Sequence, residues 1–73
     1  MNIKLLEYYL SLENISKKDL SKILNIDYQT VLKKFNLKYD FKLSEVKKIK
    51  EALKLTDEEM LEIFFVGGLK HEW

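Results

Sequence analysis

Apolar residues return every third or fourth position through most of the chain. Ile3, Leu6 and Leu10, flanked by Leu5, Tyr9 and Leu12, trace one face of a helix over residues 3–13, and Asn14 and Ile15 interrupt it. Ser16 is an N-cap residue, because its hydroxyl can accept from a backbone N–H left free at a helix start. Leu20, Ile23 and Leu24 carry a second helix over about 17–24. Asn25 ends that helix, since asparagine enters the left-handed region more readily than any residue except glycine. Asp27 caps a third helix over about 28–35, with Val31, Phe35 and part of Leu32 turned inward. Residues 36–42 form a loop, and Ser44 caps a fourth helix with Val46, Ile49, Ala52 and Leu53 inward. Thr56 followed three residues later by Glu59 is a capping box, opening a fifth helix through Met60, Ile63 and Phe64. After Gly67-Gly68 the residues Leu69 to Trp73 show no period.

Composition narrows the class. Seventy-three residues leave room for one core, expected over residues 1–66 with a tail over 67–73. The absence of cysteine excludes disulfides and thiolate chemistry. With no proline and a single glycine pair, an all-β fold would lack its turn residues. No apolar run approaches the roughly 18 residues that span a bilayer. Glu7 stands where a signal peptide would be apolar. The expectation is an all-α, compact five-helix domain acting in the cytoplasm without membrane contact.

A net charge of +1 conceals an uneven distribution. All 13 basic residues are lysines, set against 12 acids. Residues 14–54 hold eleven lysines against Asp19, Asp27, Asp40, Glu45 and Glu51, a net of +6, whereas residues 1–13 come to −1 and residues 55–73 to −4. A basic middle suits a polyanionic partner, although a lysine-rich solvated surface gives the same pattern.

Only Asn25-Ile26-Asp27 separates the second helix from the third. So short a connection forces a steep crossing, with Ile26 beneath both helices as the pivot, which is helix-turn-helix geometry. Leu20, Leu24, Ile26 and Val31 have the spacing of its inner face, and the small residue Ser21 falls where the helices come closest. Tyr28, Gln29, Thr30, Lys33 and Lys34 form the outward set of the third helix, nearly all able to hydrogen-bond. Lysines flank the motif: Lys17, Lys18 and Lys22 before it, Lys38 and Lys42 after it.

The stretch from Ser16 to Asn36 resembles the helix-turn-helix of the phage Cro/C1 repressor and Xre family. Tyr39 to Ile49, Leu53 to Glu59 and the Ile63-Phe64-Phe65 ending resemble the later helices of small regulators of that type, so the likeness covers about residues 3–65. Two departures are Ser21, where the family usually has alanine, and Asn25, where it usually has glycine. The absence of arginine is a third, and it argues against bidentate guanine contacts.

This resemblance implies a lambda-repressor-like fold and a regulator that binds double-stranded operator DNA. It places Tyr28, Gln29 and Lys33 towards base edges, with Thr30 and Lys34 close by. Their chemistry fits: glutamine can pair with adenine N6 and N7, lysine can donate to guanine, and threonine or tyrosine can touch a thymine methyl. Tyr28 alternatively packs on the motif's own apolar edge. Lys17, Lys18, Lys22, Lys38 and Lys42 are candidates for phosphates, and Asn36 is either a loop contact or simply a helix C-terminal residue. One such domain covers little DNA, so a homodimer on two half-sites is expected, with Leu37, Tyr39, Phe65, Val66, Leu69 and Trp73 as contact candidates.

Catalysis finds no constellation. The single histidine, His71, lies in the aperiodic tail, and its neighbour Glu72 need not converge with it on a metal. Asp57, Glu58, Glu59 and Glu62 suit the positive end of a helix dipole better than acid–base work. No enzyme activity, metal, cofactor or small-molecule effector is expected. The competing expectation is a protein-interaction module of the same fold (antirepressor, antitoxin or adaptor), for which truncation after Phe65 would do more damage than substitution of Gln29 and Lys33.

Overall fold

In the computed structural model, which describes residues 1–65, five helices follow in order: α1 (Ile3–Leu12), α2 (Lys17–Leu24), α3 (Tyr28–Phe35), α4 (Leu43–Leu53) and α5 (Asp57–Phe64). Four of the five starts satisfy backbone N–H groups that no helix can satisfy internally. Asn2 accepts from Leu5 N–H at 3.1 Å. At α2 the Ser16 hydroxyl accepts from Asp19 N–H and the Asp19 carboxylate accepts from Ser16 N–H, both at 3.0 Å. Thr56 and Glu59 form the same reciprocal pair at α5, at 3.1 and 2.8 Å. Two expected caps differ. Asp27 occupies the N-cap of α3 but its carboxylate makes no capping bond. Lys42, not Ser44, precedes α4, because the Glu45 carboxylate takes up the Lys42 N–H at 2.8 Å and closes the helix start without a hydroxyl.

Helix ends share one device. After α1, α2, α3 and α4 a residue turns left-handed: Asn14 (φ 57°), Asn25 (φ 56°), Leu37 (φ 62°) and Lys54 (φ 55°). In each case the following N–H donates back to a carbonyl five residues earlier: Ile15 to Leu10 at 2.9 Å, and Ile26 to Ser21, Lys38 to Lys33 and Leu55 to Lys50 at 3.0 Å each. Ile15, Ile26 and Leu55 then fold onto the core, as the aliphatic residue after such a turn commonly does. Lys38 is the exception and stays exposed.

Burial follows the helical period. Leu6, Leu10, Leu20, Leu24, Val31, Phe35, Ile49, Leu53, Leu55 and Ile63 form one continuous core. Within it α2 packs on α3 and α4, while α5 packs on α1 and α4. Ile23, expected inward, is 36% exposed, because the buried arc of α2 is centred on Leu20, Ser21 and Leu24 and leaves Ile23 at its margin. Phe41, from the loop after α3, stands edge-on between Phe35 (6.0 Å) and Phe64 (5.9 Å), joining that loop to the core and to α5. The Tyr9 hydroxyl donates to Glu59 at 3.0 Å and ties α1 to α5. Burial, reinforced by the Glu59 carboxylate, pushes the Tyr9 hydroxyl above its ordinary pKa. No helix of the described residues is long and apolar enough to cross a membrane.

Candidate nucleic-acid interface

The corner between α2 and α3 is built from backbone bonds that side chains select. Asn25 takes the left-handed conformation (φ 56°, ψ 45°), and Ile26 is drawn partly under both helices. Ser21 is buried in α2, and its hydroxyl is satisfied by donating to the Lys18 carbonyl of its own helix at 2.6 Å. Serine therefore serves where a smaller, wholly apolar residue would also fit.

Val31 and Phe35 face the core, so the opposite side of α3 faces out. Gln29 and Lys33, four residues apart, lie together on that side and are exposed. Tyr28 is 39% exposed at the start of the helix, and Thr30 is half-buried at its flank. Lys18 and Lys22 are exposed on α2, as are Asn36, Lys38 and Lys42 in and around the loop after α3. Lys17 is half-buried: its ammonium lies 3.1 Å from Glu7 and 4.8 Å above the Phe35 ring.

Lys34 does not belong to this face. It stands three residues after Val31 and so shares the inward side of α3. Its side chain is 6% exposed and that of Glu45 8%, with Nζ to Oε1 at 2.9 Å. The same ammonium donates to the Asp40 carbonyl at 2.9 Å and lies 5.4 Å above the Phe41 ring. A base contact by Lys34 would require breaking all of these at once. Burial alone would raise the Glu45 carboxyl. The Lys42 N–H and then the Lys34 hydrogen bond and charge outweigh it, holding the group below the ordinary carboxylate range.

Sequence reasoning missed Glu45 entirely, as its two roles depend on partners three and eleven residues away. Lys34 carried a signal in its spacing from Val31. Of the expected dimer contacts, Leu37 (62%) and Tyr39 (55%) are well exposed and Phe65 is half-buried. Leu69 and Trp73, like Val66 and His71, lie outside the described residues.

A family model for the Cro/C1-type helix-turn-helix DNA-binding domain matches residues 5–65, covering all five helices except the first two residues of α1. No curated protein and no solved structure gives a significant match.

Proposed function

This chain belongs to the Cro/C1-type helix-turn-helix DNA-binding family, and from that premise we propose that it is a transcriptional regulator that represses by occupying an operator, with α3 lying in the major groove. The observation that carries the reading is the paired exposure of Gln29 and Lys33 on the outer side of α3, beside a set of exposed lysines. In this arrangement Gln29 pairs with an adenine and Lys33 donates to a guanine, while Tyr28 and Thr30 meet thymine methyl groups. Lys17, Lys18, Lys22, Lys38 and Lys42, with Asn36, meet phosphates and set the register. Lys38 has the clearest claim among the lysines: it takes the place that an aliphatic residue fills at three other helix ends.

Two copies bound to half-sites one helical turn apart have centres about 34 Å apart. The domain measures 35 Å along its longest axis, and Leu37 and Tyr39 are exposed groups available for a contact between neighbouring copies. Dimerisation on DNA also multiplies the discrimination that one small domain achieves.

A mobility-shift titration against the DNA flanking the gene tests the proposal. Gln29→Ala and Lys33→Ala should each cost about 1–3 kcal/mol of specific affinity and relax the sequence preference. Wild-type affinity should fall steeply with added salt. Unchanged sequence preference in both variants would sink the assignment of α3 as the reading helix.

A further inference from the structure

We propose that Lys34 is a positioning residue for DNA binding, which clamps the loop after α3 so that Lys38 is held against a phosphate. The proposal rests on the reading of Lys38 as a phosphate contact and adds how that contact is held.

Three observations converge on the clamp. Lys34 is anchored inside the protein by Glu45 of α4, and from there donates to the Asp40 carbonyl, at 2.9 Å in both cases. Glu45 in turn accepts the Lys42 N–H at 2.8 Å. One buried ion pair therefore grips the loop at residues 40 and 42. Second, Phe41 between them is fixed by the Lys34 ammonium on its face and by Phe35 and Phe64 at its edges. Third, the other end of the loop begins with Leu37 in the left-handed region at φ 62°, a conformation that disfavours leucine. Lys38 sits between these fixed ends, its N–H bonded to the Lys33 carbonyl at 3.0 Å and its side chain in solvent. With Asp40 and Lys42 released, only the Phe41 ring contacts and the backbone bonds of Leu37 and Lys38 oppose relaxation at Leu37, and the bearing of Lys38 relative to α3 loosens. A lysine that must be ordered at the moment of binding contributes less than one already in place.

The decisive variant is Lys34→Met with Glu45→Met. It replaces a buried pair by apolar groups of similar length and leaves the net charge unchanged. Binding to a random-sequence duplex is followed by fluorescence anisotropy across a salt series, below the melting transition of each protein. Phosphate contacts do not depend on sequence, so no operator is needed. Wild type and Lys38→Ala should differ in salt slope by about 1. The methionine pair should lose the same slope although no exposed lysine has been removed, and Lys38→Ala should add nothing in that background. If the methionine pair fails to fold, Lys34→Met with Glu45→Gln, which strands no charge and keeps an acceptor for the Lys42 N–H, carries the cycle with Lys38→Ala. A wild-type slope in the methionine pair, or an equal Lys38→Ala loss in both backgrounds, overturns the positioning role alone. A wild-type protein that binds no duplex at low salt overturns the regulator reading itself.

Discussion

Lys34 and Glu45 illustrate how one residue's setting decides its chemistry. Lysine is ordinarily the most solvated of side chains, and an exposed ion pair contributes little to stability. Here both side chains are nearly excluded from water, and every buried side-chain nitrogen and oxygen among the described residues has a hydrogen-bond partner. Removing one member strands the other's charge, which typically costs about 3–5 kcal/mol. Glu45→Ala should therefore lower the urea unfolding free energy by on the order of 3 kcal/mol, followed by circular dichroism. A loss below about 0.5 kcal/mol would mean that the pair behaves as a solvated one. Gln29 and Lys33 present the opposite case: both are exposed on α3, so their substitution should leave the melting curve in place.

Among elements, the helix endings store the most correctable strain. Asparagine tolerates the left-handed conformation at Asn14 and Asn25, but Leu37 and Lys54 adopt it against a penalty of roughly 1–2 kcal/mol each. Glycine would remove that penalty and return part of it as unfolded-state entropy, about 0.5–1 kcal/mol. Lys54 is exposed and, among the described residues, its side chain has no bonded partner, so Lys54→Gly should stabilise the domain by about 0.5–1 kcal/mol. Thermal melting measures it; a lowered midpoint would show that the Lys54 side chain holds something the backbone geometry does not reveal. The left-handed turns at Leu37 and Lys54 had no announcement in residue type, whereas those at Asn14 and Asn25 did.

For the molecule as a whole, the response to acid is set by three carboxylates that each close a helix start. Asp19 is held below its ordinary value by the Ser16 N–H and hydroxyl, and Glu59 by the Thr56 N–H and then the Tyr9 hydroxyl. Glu45 is held down by the Lys42 N–H and by Lys34 despite its burial. A carboxyl whose pKa is lower folded than unfolded adds stability that is complete above the unfolded value and disappears as pH falls through the folded one. Stability should therefore be flat above about pH 5 and decline progressively below about pH 4. Urea midpoints measured across that range check the sign; a midpoint that rises on acidification would contradict it. Protonation loosens α2, α4 and α5 at their N-termini together, and at α4 it also releases the Lys34 clamp.

The five helices, their order and the corner at Asn25–Asp27 were legible in the chain because they rest on interactions within one turn: apolar spacing, the Ser16 cap, the Thr56–Glu59 capping box, and the short connection itself. The outward set of Gln29 and Lys33 follows from the same periodicity once Val31 and Phe35 are assigned inward. Lys34 was not legible, because its partners are a carbonyl six residues on and a carboxylate eleven residues on. They meet only where the loop after α3 folds back over Phe41. Local spacing specifies which side of a helix a residue occupies. Whether an ammonium on that side reaches water or a buried anion depends on how distant segments close around it, and that closure exists only in the folded chain.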